Sequence, residues 1–161
     1  MTFSTQLEAD IAEAYRVSHH RMGWRLLYSP ARVLEGADVA FIGLNPGGSG
    51  ADGEHGEFAV DAGSAYCTER WGSTAPGARV VQRQVRMVFR RLDVGPEDVL
   101  AGNLVPFRSR DWASLDDPNG ALRFGKVIWS QIFKKVRPSV VVTMGRDAAQ
   151  HVGDVLGVGS V

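Results

Sequence analysis

The chain is poor in several features, and each shortage closes off a class of function. One cysteine among 161 residues rules out an internal disulfide, a four-cysteine zinc site and a cysteine-ligated iron–sulfur cluster. No apolar run approaches the ~20 residues that span a bilayer, so no membrane partner is expected. The first residues, MTFSTQLEAD, are polar and acidic, unlike a signal peptide, and the expected location is the cytoplasm. Eighteen basic residues balance 18 acidic ones, which argues against a purely electrostatic nucleic-acid binder. It leaves room for an enzyme that meets a few phosphates through a local basic patch. His19, His20, His55 and His151 have no ligand spacing beyond the adjacent pair, so neither a metal site nor a cofactor is expected. No internal repeat or low-complexity segment is present.

What is there suits one domain over residues 1–161. The composition is 44% hydrophobic and 22% charged, enough apolar material for one core. Leu7, Ile11, Ala14, Tyr15, Ser18 and Met22 fall at helical spacing, predicting a helix over ~4–22. Val39–Ile42 is a short buried strand running into Gly43-Leu-Asn-Pro-Gly-Gly48. Residues 47–78 are glycine-rich and read as a long loop, of the kind that is functional or mobile inside a compact domain. Val81, Val85, Val88, Phe89 and Leu92 mark a helix over ~78–92, and Asp98–Asn103 a second strand. Asn119 is the predicted cap of a third helix, with Leu122, Gly125, Ile128, Trp129, Ile132 and Phe133 inward. Ser139–Thr143 is the third strand, all β-branched after the serine. After Gly145 a last helix shows Ala148, Ala149, Val152 and Leu156 on one face. Alternating strands and helices predict an α/β fold with a mainly parallel sheet, helices on both faces through right-handed crossovers.

Ligands of open α/β sheets bind beyond the carboxyl ends of the strands. The loop after the first strand is therefore the first candidate site. Gly43 and Gly47 permit close backbone approach, and Pro46 stiffens the loop and biases Asn45 towards extended backbone. Asn45 reads either as a residue positioning a water or polar ligand edge, or as a self-capping turn residue. Gly48-Ser-Gly50-Ala-Asp-Gly53 fits a dinucleotide-binding fingerprint, but that needs a helix opening within it, and the residues that follow have no helical stripe. Asn103 closes the second strand and reads as a site residue or a turn former. Arg79, Arg83, Arg86 and Arg90 recur at helical spacing, as a phosphate ridge or a solvated face. Arg108 and Arg110, beside Trp112 in the loop after Asn103, are better placed to meet DNA.

The strand followed by Gly43-Leu-Asn45-Pro-Gly47 resembles the GxNPG motif of the uracil-DNA glycosylase superfamily, nearest its mismatch-specific uracil/thymine and single-strand-selective branches. Val99-Leu-Ala-Gly-Asn103-Leu-Val-Pro106-Phe resembles that superfamily's second strand, and Val140-Val-Val-Thr-Met-Gly145-Arg-Asp-Ala-Ala149 its third strand and turn. The resemblance spans residues ~38–152. It implies a three-layer α/β/α fold, strand order 2-1-3-4, and hydrolysis of the N-glycosidic bond of uracil or a related damaged base in DNA. Asn45 would orient the attacking water. Gly43, Leu44, Pro46 and Gly47 would help bind the base, Asn103 would read its edge, and a ring of the 47–78 segment would stack on it. Tyr66 is preferred for that ring over Trp71 and Phe58.

The resemblance breaks at the C-terminal side. The superfamily carries a second motif, usually a His or Asn in a Pro-Ser loop after a fourth strand, and no segment of this sequence matches it. The expectation is therefore strand order 2-1-3, with the fourth strand missing or atypical and the domain truncated at its C-terminus. The alternative function is a catalytically weak or inactive domain of the same fold that binds a base, nucleotide or nucleic acid. An uncovered third strand would leave unpaired backbone groups along Ser139–Met144, an edge that invites a homodimer.

Overall fold

The computed structural model describes residues 1–48 and 56–158. Five α-helices and five strands are present among them: α1 Phe3–Val17, β1 Trp24–Arg25, β2 Val39–Gly43, β3 Gly56–Glu57, α2 Ala65–Thr68, α3 Val80–Arg91, β4 Leu100–Asn103, α4 Pro118–Val136, β5 Val140–Thr143 and α5 Arg146–Leu156. The main sheet has the order β4-β2-β5 and is wholly parallel, with Phe41 opposite Ala101 on one side and Val142 on the other. This is the 2-1-3 order expected from the sequence. The path moves one way from β2 to β4 and the other way from β4 to β5, so crossovers of one hand must lie on opposite faces. They do, and three layers result.

Strand alternation divides the core accordingly. Ala40, Ile42, Leu100 and Val141 turn to a large cluster built with α1, α4 and α5, centred on Trp129, Ile128, Ile132, Leu7 and Ile11. Val39, Phe41, Ala101 and Val142 turn to a smaller one with α2 and α3, through Tyr66, Val85 and Phe89. Short strands β1 and β3 pair in parallel beside the main sheet. No helix among the described residues is long and apolar enough to cross a membrane.

Several boundaries differ from the periodicity reading for local reasons. Helix α1 stops at Val17 because Ser18 adopts extended backbone and its hydroxyl donates to the Tyr15 carbonyl, so Met22 lies beyond the helix. The α4 cap is Asp117, not Asn119: its carboxylate accepts from the Gly120 N–H at 3.0 Å, and Pro118 takes the first helical position, where its missing N–H costs nothing. The α3 face includes a buried Gln82 that apolar spacing does not anticipate. In α5, Ala148 and Val152 are buried, whereas Ala149 and Leu156 are exposed. The Gly48–Gly53 fingerprint falls almost wholly outside the described residues, as does His55, and the residues just after it form strand β3.

Candidate functional site

The carboxyl ends of β2, β4 and β5 open on one cavity of about 560 Å³, within the roughly 300–1,000 Å³ usual for ligand sites. Its floor is made by knitting the loop after β2 to the loop after β4. Leu104 and Val105 N–H groups donate to the Gly43 and Leu44 carbonyls, both at 2.8 Å, and Ser109 N–H donates to Pro46 O at 3.2 Å. Asn45 is fixed within this weave. Its Nδ2 donates to Ser109 Oγ at 2.7 Å and to Phe107 O at 3.3 Å, and Ser109 Oγ in turn donates to Asp111 O. The amide nitrogen is thus engaged by the protein, and the carbonyl end, Oδ1, is the one left to accept a hydrogen bond from a ligand or water.

Asn103 ends β4 and is 2% exposed. Its carbonyl accepts from the Trp129 indole at 2.7 Å, its N–H donates to Leu26 O, and its side-chain Nδ2 has no hydrogen-bond partner of acceptable geometry. The Tyr28 phenol lies within reach of this amide without completing a hydrogen bond of good geometry; a buried donor left so costs roughly 1–3 kcal/mol, which favours a ligand acceptor in that place. Gly43 makes the arrangement possible: a Cβ there would stand 2.8 Å from Asn103 Oδ1. The invasion of this space by the Asn103 amide is what the glycine at the end of β2 permits.

The opposite wall comes from the segment that the sequence suggested was a loop. Ser64 caps the short helix α2 by accepting from Tyr66 N–H. Tyr66 is not an exposed stacking ring. It is 1% exposed and held edge-on by Tyr28, Phe41, Trp71 and Phe89 at centroid distances of 5.3–6.0 Å, while still lining the cavity. Burial pushes its hydroxyl far above the ordinary phenol range, with Tyr28 adding to the effect. Tyr28 is raised by burial too, against the opposing pull of Arg25 and the Asn103 amide. Both phenols therefore enter the site neutral.

Behind them lies an ion pair that sequence reasoning missed. Arg25 Nη1 and Nη2 donate to Glu69 Oε2 and Oε1 at 2.9 and 2.6 Å, and Trp71 Nε1 donates to the same carboxylate at 2.8 Å. Arg25 also lies over the Tyr28 ring at 4.6 Å. Burial works against its charge, but Glu69 outweighs that and holds the guanidinium above its ordinary value. A fork-to-carboxylate pair of this kind fixes geometry as well as charge. It anchors Trp71, the half-buried aromatic of the cavity mouth. With both its oxygens taking hydrogen bonds, Glu69 is unsuited to act as a base.

Of the residues expected at the site, Asn45, Pro46, Gly47, Tyr66, Asn103 and Arg108 line the cavity. Gly43 and Leu44 stand behind it, the first against Asn103 and the second against the large core. Arg108 lies along the loop, donating to Gly47 O at 3.3 Å and Met22 O at 3.4 Å. Arg110 is outside the cavity and pairs with Asp111 in solvent. Phe58 belongs to the large core and not to the cavity. The arginines of α3 do not act as one ridge: Arg79 reaches the cavity, while Arg86 folds inward to donate to Tyr66 O and Gly77 O at 2.6 and 2.7 Å. No histidine among the described residues lines the cavity. No protein-family model matches the sequence, and no curated protein matches it either.

Proposed function

We propose that this protein is a DNA glycosylase, hydrolysing the N-glycosidic bond of uracil or a related damaged base in DNA. The observation that carries the reading is the meeting of Asn45, Tyr66 and Asn103 on one cavity at the carboxyl end of the sheet. A base extruded from the stack would enter between the Tyr28–Tyr66–Trp71 wall and the β4 end. There Asn103 Nδ2 would donate to a ring carbonyl, which would give this buried amide the partner it lacks among the described residues. Asn45 Oδ1 would accept from a water and aim its oxygen at C1′. As the C1′–N bond breaks, its electron pair leaves with the base, the water oxygen bonds C1′, and the water's proton passes to the base anion or to solvent. Among the described residues the exposed Arg70 and Arg79 stand at the cavity lining, and their charge favours a departing anion.

Cleavage of uracil-containing single- and double-stranded oligonucleotides tests this directly. The wild type is expected to make abasic sites, and Asn45→Ala to lower the rate by at least about 100-fold. Failure to exceed the Asn45→Ala control at enzyme excess sinks the enzymatic reading.

A second reading, a base- or nucleic-acid-binding domain that does not cleave, is favoured by the absence of a histidine from the described lining and by the saturation of Glu69. Binding of uracil-containing DNA without abasic sites would establish it. The proposal extends to a homodimer along Ser139–Met144, supported by the exposure of Val140 and Met144 and by the lack of any strand outside β5 among the described residues.

A further inference from the structure

Positive charge in the cavity exceeds what the whole protein would suggest. The formal net charge is zero, yet among the described residues Arg25, Arg70, Arg79 and Arg108 line the cavity with one carboxylate, Glu69. The four are not equivalent. Arg25 is consumed by Glu69, and Arg108 spreads its N–H groups over the Gly47 and Met22 carbonyls. Arg70 and Arg79 are exposed at the mouth, and neither guanidinium forms an ion pair or donates a hydrogen bond among the described residues. Arg79 lies beside Gly72, where no side chain obstructs it.

The backbone segments that carry these two residues are tied together by buried chemistry. Gln82, fully buried, accepts from Arg79 N–H at 3.1 Å and donates to the Glu69 and Ala65 carbonyls at 2.9 and 3.0 Å. The end of α2, which precedes Arg70, is thereby locked to the start of α3, which follows Arg79. This buried amide has its hydrogen bonds made, so the clamp is rigid and fixes where Arg70 and Arg79 leave the backbone at the cavity mouth. The unpartnered Asn103 Nδ2 of the same cavity independently points to a ligand.

We propose that Arg70 and Arg79 form a phosphate subsite at the cavity mouth, holding the phosphate of the nucleotide whose base lies against Asn103 and Tyr66. This rests on the reading that a base occupies that end. Guanidinium forks match phosphate oxygens in geometry and charge, and the cavity is larger than one pyrimidine ring requires. The phosphate is either the diester of a strand or the monoester of a free nucleotide.

Binding of deoxyuridine, dUMP and a short single strand containing one uracil separates the cases, the strand being measured in an Asn45→Ala background to prevent turnover. Trp71 fluorescence or calorimetry gives the affinities. Without the arginine substitutions, dUMP and the strand are expected to bind at least about tenfold more tightly than deoxyuridine. Arg70→Ala combined with Arg79→Ala is expected to remove about that factor and leave deoxyuridine unchanged. Arg83→Ala, an exposed α3 residue outside the cavity, is the control for loss of charge and should change neither. Unaltered melting of the double variant confirms its fold. A loss confined to the strand assigns the subsite to a diester, and one confined to dUMP to a free nucleotide. If deoxyuridine binds and the double variant keeps full affinity for both phosphate ligands, the subsite is overturned while the base reading stands. If none of the three ligands binds, both fall together.

Discussion

The central strand β2 has two neighbours, and they are built unequally. β4 is buried along its whole length, and its far side is closed by residues 26–28: Asn103 N–H donates to Leu26 O, Tyr28 N–H to Ala101 O, and Leu27 pairs with Gly102. Among the described residues β5 pairs with β2 alone, and Val140 at its start and Met144 just beyond it are 40% and 41% exposed. Among the cavity residues only Met144 comes from the β5 flank. The contrast shows where rigidity serves the site. Closing the β4 edge fixes Asn103, and the loop that leaves it fixes Asn45, so the two amides are positioned by one continuous set of backbone hydrogen bonds. The β5 flank positions no polar atom of the site and tolerates solvent.

The largest effect that can break this comparison is expected at Gly102. A Cβ there would stand 2.5 Å from Leu26 O and 3.1 Å from Trp129 Cζ2, one a backbone atom of the closing segment and the other a fully buried ring. Neither can retreat without opening the edge. Gly102→Ala is expected to cost about 2–3 kcal/mol in urea unfolding. A cost below about 1 kcal/mol would mean that the closed flank yields easily, and the contrast would lose its basis.

A much smaller effect is expected on the other flank. Val140→Lys adds a charge to an exposed strand end and should change stability by under about 0.5 kcal/mol. The same substitution sharpens the proposed dimer, because a lysine discourages edge pairing. Size-exclusion chromatography should show a wild-type dimer and a monomeric variant. A wild type that runs as a monomer removes the dimer, and a large destabilisation by the lysine would show that the β5 flank is less tolerant than its exposure indicates.

The same contrast explains how much the sequence disclosed. Each sheet strand is an apolar run with a distinctive end, Gly43-Leu-Asn45-Pro, Gly102-Asn103 and Met144-Gly145, so the strands and the two asparagines at their ends were legible from the residues, while the strand order came from the resemblance those ends carry. The wall opposite them was not. Arg25 and Glu69 are 44 residues apart, and a pair formed only by folding leaves no local signature. Helix α2 has four residues, too few for a period, so Tyr66 read as a loop ring when it is packed among four aromatics. Gln82 looked like one polar residue in a valine stripe. Its role is visible only once the α2 carbonyls are placed above it. Residues 26–28, which close β4, follow Trp24 in a stretch with no clear period, where extended backbone pairs through single bridges and not as a long ladder.

The smallest expected effect also belongs to the β4 flank and is a pH dependence. His20 stacks on Phe107, in the loop after β4, at a centroid distance of 4.2 Å, and it is buried. Burial lowers its pKa, with Arg21 and His19 acting in the same direction and Asp116 and Asp117 opposing them. The folded state therefore resists a proton that the unfolded state accepts from about pH 6.5 downward. Stability rises with pH wherever the unfolded state binds more protons. The His20 contribution is thus fully favourable above that value and declines as pH falls below it, levelling off once the folded state also protonates. The lowered carboxyls of Glu13, Asp111 and Asp154 are exposed and titrate further down, and over the interval from pH 7.5 to 5 the difference between wild type and a His20 variant isolates this histidine. His20→Phe keeps an aromatic ring against Phe107 and removes the titration. Urea melts at pH 7.5 and pH 5 should show a greater loss for the wild type than for the variant. Equal losses would mean that the imidazole reaches solvent, and that the loop after β4 is less firmly packed than the strand it leaves.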